Sequence, residues 1–578
     1  MTAPAKTTGL RYWMMRVLHE CEHVSGDFAA DPVHDLRVAL RRCRSMADGM
    51  MAMDPDPNWK AMKKAGKRLF QRLGDLRDVQ IMMEWIDKLQ PAPAASSVAR
   101  ALPSTSSGQA LPASLHAEGN PVLPPAAESP MGNDGLSPEA VTIPPAPDPS
   151  RSLLQILRLR ETEQKHAARA ALDEFDRKQW RHWSRTLPER AARVRPGSAV
   201  FKHLALERWT AARELHVRAM RNRSQIAFHT LRIGIKRFRY IVENFLPEEH
   251  AAWSNDLKHM QDLLGEVHDL DVLWATALSS HVFPDPALPE EDSRQHWHAR
   301  IVEERTRRIT EYRERTTGPD SLWNVWRAGL PQGKQIQEIA TRRMKLWAKA
   351  LDPDFAHSER VARLALELYD GLSAAGLLGT LNGGTANGAT ANGSTEDARD
   401  SLYAAALLHD VGRSEEKKGH HKTSQELIKA HGTPLGWKAE NMQRAAVVAR
   451  FHAGALPTRG HKALRDLLPD EQKTILRLAA ILRLANALDA AHDGHIRSVR
   501  IENPVARSQS RERRTNGFLR KPAALGRNEA LVIAADGYTP GSPTAQTIAA
   551  ERYLLETVLR RPVVVRAMKS AVPWRRTP

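Results

Sequence analysis

The same pair of motifs occurs twice in this chain, and that duplication constrains its fold more than any other feature. VHDLRVALRRCRSM begins at Val33 and FHTLRIGIKRFRYI at Phe228. Each is followed by a second motif, QRLGDLRDVQIM at 71–82 and DLLGEVHDLDVL at 262–273. Two copies in one order predict two related helical halves. His34, Arg37, Arg41 and Arg44 are spaced +3, +4, +3, and His229, Arg232, Lys236 and Arg239 repeat that spacing. On a helix turning about 100° per residue, each set forms one stripe. Val33, Leu36, Leu40 and Cys43 form an adjacent apolar stripe, as do Phe228, Leu231, Ile235 and Phe238. Each helix should therefore pack on one side and present a cationic row on the other. Cations at about 5–6 Å intervals repel one another unless an anion lies along them. A linear phosphate chain has a comparable charge spacing, and arginine offers bidentate forks to its oxygens. A merely solvated basic face would not need the same register twice. The segments GDLRD and GEVHDLD read as helix junctions, with Asp75, Asp78, Asp269 and Asp271 pairing with the basic rows.

Lysine and arginine total 85 against 67 aspartates and glutamates, a formal charge of +18 over 578 residues, which favours polyanionic partners. Two cysteines, Cys21 and Cys43, exclude a disulfide framework or a cysteine-rich zinc module. No run is apolar enough for a membrane span, and the first residues lack the apolar centre of a signal peptide. The expectation is a cytoplasmic protein with no membrane span. Helical periodicity covers 9–90 and resumes from about Leu153 to about Trp326. Between them, 91–150 is rich in Pro, Ala and Ser and reads as a disordered insertion. A second low-complexity run, 379–397, reads as an expanded loop between two helices. IRSVRIE (496–502) and EALVIAA (529–535) look like strands, and 544–561 looks like a closing helix.

HDLRVALRRCRS, HTLRIGIKRFRY, LGDLRD and LGEVHDLD resemble the two half-repeats of the CHAD family, the conserved-histidine α-helical domain. The resemblance covers 8–330 apart from the insertion. It implies two pseudo-symmetric helical bundles around a basic channel that binds inorganic polyphosphate. His34, Arg37, Arg41, Arg44, His229, Arg232, Lys236 and Arg239 would be the polyanion ligands. Polyphosphate granules are a place such binding would take the protein.

The second half carries a different chemistry. FAHSERVARLALELYDGL places His357 near the start of an amphipathic helix. LYAAALLHDVGR ends an apolar helix in His409-Asp410, and KGHHKTSQELI brings His420 and His421. VVARFHAGALP supplies His452 and LAAILRLANALDAAH supplies Asp489. Neutral imidazoles and carboxylates are the ligands that divalent ions take in hydrolytic sites, and a carboxylate can bridge two ions. His420 and His492 read as bystanders. Lys422, Arg360 and Arg450 lie beside the candidates and could neutralise phosphate oxygens. These segments resemble the HD superfamily of metal-dependent phosphohydrolases, and more narrowly the C-terminal HD domain of the Ppx/GppA phosphatases, over 336–578 with a small β–α tail from 496. By that resemblance His357, His409, Asp410 and Asp489 are the core metal ligands, and His421 and His452 serve a second ion. One or two divalent ions would bind, with Mn, Mg and Fe all suited to such a set. In the Ppx/GppA family polyphosphate hydrolysis belongs to an N-terminal actin-like domain, whose glycine-rich phosphate loops do not occur here.

The fold expected is mainly α: a CHAD-type pair of pseudo-symmetric helical bundles, then an all-helical HD domain with a small α+β tail. The leading functional reading is a polyphosphate-binding protein whose HD module hydrolyses a phosphoanhydride or phosphoester, in polyphosphate or a nucleotide. Asp410 with Lys422, Arg360 and Arg450 would carry the chemistry. The alternative is a non-catalytic polyphosphate scaffold or sensor with a degenerate HD domain. Nucleic-acid binding is a third reading, but no nucleic-acid motif is visible and the aromatic share is 6%.

Overall fold

The computed structural model describes residues 9–24, 26–89, 148–283, 292–378, 388–416, 418–502 and 530–568. The insertion expected at 91–150 lies outside the described residues as far as 147. In the first half, α1 (Leu10–Val24), α2 (Ala30–Met50), α3 (Pro57–Ala65) and α4 (Lys67–Leu89) are followed by α5 (Pro149–Asp173) and α6 (Arg177–Ala191). Then come α7 (Ala199–Asn222), α8 (Gln225–Phe245), α9 (Pro247–Ser279), α10 (Asp292–Thr316) and α11 (Leu322–Ala328). Asp-Pro steps start two of these helices. Asp56 accepts from the Asn58 N–H at 2.8 Å, and Asp148 from the Ser150 N–H at 3.0 Å, each with proline in the first turn. That cap is why α5 begins four residues before the expected Leu153.

The duplication is visible in the helices. α2 and α8 are both 21 residues long, with His34 and His229 at the same position in each. All eight residues of the two apolar stripes are buried. The two helices pack against each other closely enough that a Cβ on Gly49 would lie 2.3 Å from the Phe245 ring. The GDLRD and GEVHDLD segments are not junctions. Gly74 and Gly265 sit inside the continuous helices α4 and α9. A Cβ on Gly74 would lie 3.6 Å from Arg37 Nη2, and one on Gly265 would lie 3.8 Å from Arg232 Nε. These glycines mark where a basic side chain crosses a helix surface, a role that local sequence does not separate from a helix end.

The second half comprises α12 (Gln335–Leu351), α13 (Phe355–Ala374), α14 (Gly388–Leu408), a short 3-10 turn (Val411–Ser414), α15 (His420–His431), α16 (Ala439–Arg450) and α17 (Pro469–Leu488). Of the loop expected at 379–397, residues 379–387 lie outside the described residues and the remainder opens α14. Helix extension from the strong former beyond it costs little per residue, so weak propensity does not stop it. The tail forms a three-stranded sheet in the order β1 (Ser498–Glu502), β2 (Leu531–Asp536), β3 (Val563–Ala567). β1 and β2 are antiparallel, with Val499 opposite Ala535. β2 and β3 are parallel, with Ile533 opposite Val565, joined across α18 (Pro543–Leu559). β3 was not expected, although its VVVRA run is β-branched. Among the described residues no helix is long and apolar enough to cross a membrane. Cys21 and Cys43 are free and buried.

Candidate functional site

Because α2 and α8 pack side by side, their two basic rows share one cleft. The charges surrounding Arg37 include Arg41 and Arg77 from its own half and Arg232 from the other. Lys236 is pushed down to about 7, first by burial and then by Arg232, Arg41 and Arg37. Arg41 Nε and Arg232 Nε are buried without a hydrogen-bond partner. Arg37 and Arg44 both face the Phe70 ring, and Arg41 faces the Tyr240 ring at 5.6 Å. Neither ring was singled out in the sequence, because aromatic contact partners have no spacing signature. The ends of the rows are committed elsewhere. Arg44 donates to the Lys63 carbonyl at 2.5 Å, and Arg239 lies 3.6 Å from Glu243.

Histidines line the same cleft. His34 and His229 are both lowered by burial and by neighbouring cations. His229 meets His268 of α9, Nδ1 to Nδ1, at 3.2 Å, and His268 is pushed down to about 4 by burial and Arg232. Of the four acids expected to pair with the rows, two do not. Asp75 lies 3.4 Å from Arg72, and Asp271 accepts from Arg305 at 3.0 Å. Asp78 and Asp269 do face the cleft. Burial raises Asp78 against the pull of Arg37 and Arg232. Burial also raises Asp269, to about 6, with Asp78 adding and Arg232 and Lys236 opposing. The cleft is therefore a dense cationic surface whose central members lack close carboxylate partners among the described residues.

The second site lies in the other half. His409 follows the apolar end of α14, and Asp410 precedes the 3-10 turn after it; both are buried. Ser424 of α15 fastens this turn by donating to the His409 carbonyl at 2.6 Å and accepting from the Gly412 N–H at 2.9 Å. His409 Nδ1–H donates to the Ala406 carbonyl at 2.8 Å, and His452 Nδ1–H to the Ala449 carbonyl at 2.7 Å. Each thus presents the Nε2 lone pair inward. Two groups of potential ligands result, His357–His409–Asp410 and Asp410–His420–His452, with Asp410 common to both. Asp410 Oδ1 lies 3.1 Å from His420 Nε2 and 3.4 Å from His452 Nε2, while Oδ2 lies 2.9 Å from Arg413 Nε. Both Asp410 oxygens and His409 Nε2 are buried polar atoms without a hydrogen bond. Arg413 offsets part of the cost of burial at Oδ2, while Oδ1 and His409 Nε2 are costly to bury unless a further cation meets them. Burial favours a protonated Asp410, but His409, His420 and His452 outweigh it and hold the carboxyl well below its usual range. Burial pushes His409 down to about 3. A neutral imidazole beside an ionised carboxylate is the donor set that a divalent cation accepts.

The sequence-derived candidates separate here. His357, His409, Asp410 and His452 come together. His420, read as a bystander, takes the place expected for His421. The His421 ring lies 6.4 Å from that of His452, packed on Gly454. Asp489 belongs to neither group. Its Oδ2 accepts from His357 Nδ1 at 2.7 Å and Arg360 Nε at 2.8 Å, and its Oδ1 accepts from the Gly494 N–H at 3.0 Å. It orients His357, whose Nε2 lies 2.9 Å from Asn486 Oδ1. His492, also read as a bystander, stacks on His357 with ring centres 3.8 Å apart. Of the cations expected to meet phosphate, Arg360 is committed to Asp489, and Arg450 donates to Gln425 at 3.2 Å. Lys422 is exposed. Arg413, three residues after Asp410, was missed; its HDVGR context was read only for the His-Asp pair.

Comparison with protein families finds two matches. A CHAD domain model matches residues 15–278. The model for domain III of the Ppx/GppA phosphatases matches residues 339–530. A search of curated proteins finds no match. The two families point to a polyphosphate-related function, with polyphosphate or nucleotide-phosphate partners. The first match contains both basic rows, and the second contains every histidine and aspartate of the two ligand groups. A CHAD domain match in the first half and a Ppx/GppA domain III match in the second thus occur in one chain.

Proposed function

We propose that the chain holds inorganic polyphosphate in the cleft between α2 and α8 and hydrolyses a phosphoanhydride or phosphoester bond at the histidine–aspartate cluster, an HD-type site. The observation that carries this reading is the set of buried atoms without a hydrogen bond, His409 Nε2 and the two Asp410 oxygens, of which only Oδ2 is met by a protein cation, Arg413, among the described residues. His357, His409 and Asp410 would hold one divalent cation, and Asp410, His420 and His452 a second. Mn, Mg and Fe suit such ligands. A bound divalent ion supplies acidity to water and neutralises phosphate charge. The protein's own part is to hold Asp410 ionised, keep His409 and His452 in the Nε2-presenting tautomer and place Arg413 at the edge of the site, where phosphate oxygens would enter. A polymer captured in the cleft raises the local concentration of its own ends.

The test is metal content and phosphate release on one purified sample. Polyphosphate, guanosine tetraphosphate-type nucleotides and cyclic nucleotides are offered with Mn or Mg, and Asp410→Ala serves as control. Release from one class, lost in Asp410→Ala, is the expected result; equal release from the variant refutes the reading. One observation favours a sensor that binds without turnover: Arg360 and Arg450 are bonded inside the protein, which leaves few cations for a transferring phosphoryl group. Tight polyphosphate binding with neither metal nor release would establish that reading.

A further inference from the structure

Helices α15 and α16 form a hairpin with two distinct ends. Its base carries His420, the first residue of α15, and His452, just past the end of α16. Its tip, residues 432–438, lies on the polyphosphate-binding half. There the Leu435 N–H donates to Glu207 Oε1 at 3.2 Å, and His203 Nε2–H donates to the Leu435 carbonyl at 2.9 Å. Arg343 Nη1 donates to His203 Nδ1 at 3.0 Å, which fixes the tautomer that the Leu435 bond needs. The same guanidinium pairs with Glu207 at 2.8 Å. The four residues close a ring of hydrogen bonds around one backbone unit of the tip. His203 is fully buried and Arg343 nearly so. Gly436 presses the tip onto α12: at φ +95° its Cβ position lies 2.9 Å from Ile336 Cγ2 and 3.1 Å from the Gln337 nitrogen. His203 and Glu207 belong to α7, which lies tightly along α8. A Cβ on Gly234 of α8 would lie 2.8 Å from Leu215 and 3.3 Å from the Ala212 Cα.

We infer that His203, Glu207 and Arg343 are positioning residues for the Asp410–His420–His452 group, anchoring the hairpin that carries two of its three side chains to the polyphosphate-binding half. The inference rests on the cation-binding reading of that group. Each hairpin helix spans roughly 18 Å, so the anchor acts at one end of a stiff lever whose other end holds the histidines. The His357–His409–Asp410 group is built from α13, α14 and the turn after it; Ser424, four residues from His420 at the base of the hairpin, supports that turn, but the hairpin supplies none of the group's side chains. The two groups should therefore respond differently when the ring is broken.

The experiment titrates the metal-free full chain with cobalt(II) and follows the visible absorption of the bound ion. The wild-type chain is expected to take up two equivalents. Arg343→Met and Glu207→Gln should each weaken the second equivalent about tenfold, a typical effect of losing an outer support of a ligand, and leave the first within about twofold. Hydrogen exchange at 432–438 should quicken in both. His203→Gln, whose amide can still donate to Leu435 and accept from Arg343, should retain most of the second-site affinity. If Arg343→Met does not fold, Glu207→Gln carries the test, because it keeps an acceptor for the Leu435 N–H. Variants that fold but weaken both equivalents alike, or neither, overturn the inference alone. A wild-type chain that binds no cobalt, or one equivalent, overturns the two-cation reading and the inference with it.

Discussion

Lys236 shows what the cleft costs the protein when it is empty. An ammonium ordinarily keeps its proton to about 10.5, yet here burial and three arginines bring it to about 7. A folded-state value below the unfolded one means the folded chain sheds protons first. This contribution to stability is full above about 10.5 and is lost as pH falls to about 7. A polyanion laid along the row reverses the balance by favouring the charged ammonium. Polyphosphate binding should therefore take up protons above pH 7, and affinity should rise as pH falls from 9 to about 7, by at most about tenfold per unit for this one group. The lowered His34, His229 and His268 extend the trend to more acid pH. Calorimetry in buffers of different ionisation enthalpy measures the proton uptake; an affinity flat between pH 7 and 9 would refute it. In the second site, Asp489 touches His357 but belongs to neither ligand group, so Asp489→Asn should weaken cation binding by roughly 10–100-fold rather than abolish it, read by equilibrium dialysis. Residue types and their spacing make both sites legible in the sequence. What they do not say is which of two adjacent histidines points inward. His420 and His421 differ by about 100° around α15, and both fit a ligand pattern. Only the packing of α15 on the turn after α14 chooses His420. The partner of Arg44 is equally hidden, because the Lys63 carbonyl comes from α3, whereas Arg239 and Glu243 are an i,i+4 pair on α8 itself.

At the level of elements, the first motif of each pair lies on a helix of 21 residues, while the second motifs lie on helices of 23 and 33 residues. The misread parts share a cause. Gly74 and Gly265 look like helix ends to local rules, yet they persist inside α4 and α9, where long side chains of the basic rows cross them. Substituting either by alanine should raise stability by roughly 0.5–1 kcal/mol, because the added Cβ meets only ordinary contact distance and a helical glycine is entropically costly. Polyphosphate affinity should change little, as Arg37 and Arg232 keep their places. Gly49→Ala is the opposite case. Its Cβ would overlap the Phe245 ring at the α2–α8 contact, and about 1–3 kcal/mol of destabilisation is expected. Urea melts of the three variants measure both signs; an alanine at 74 that destabilises by more than about 1 kcal/mol would show that the crossing is tighter than ordinary contact. β3 escaped notice for a simpler reason: it is five residues long, and a short apolar run after a helix carries no period of its own.

How the two halves meet is not legible in the sequence at all. Nothing in the spacing of His203, Glu207, Arg343 or Leu435 marks them as partners, since they are joined only by tertiary packing across as many as 232 residues. Their ring of hydrogen bonds makes a thermodynamic statement about the whole molecule. Burial favours a protonated Glu207, but the hydrogen bond and charge of Arg343 outweigh it, so the carboxylate stays ionised in contact with both halves. Separating the halves would leave Arg343 and Glu207 to find water and His203 to lose both its bonds. Because the separated charges regain water, what is lost is the net worth of each hydrogen bond, about 0.5–1.5 kcal/mol and about 1.5–3 kcal/mol where a charged group takes part, over the several bonds of the ring. With stability of small domains only about 5–15 kcal/mol, a junction of that size is enough to link their unfolding. A ligand of the first half should then protect the second. Polyphosphate at about one hundred times its dissociation constant adds about 2.7 kcal/mol to whatever unfolds with its site. Scanning calorimetry of the full chain should show the endotherm of the second half, followed separately by hydrogen exchange in α14 and α17, moving upward with polyphosphate. In Arg343→Met that transfer should shrink while the shift of α2 and α8 remains. Protection confined to the first half in the wild-type chain would mean that the halves unfold independently and that the ring holds position without linking stability.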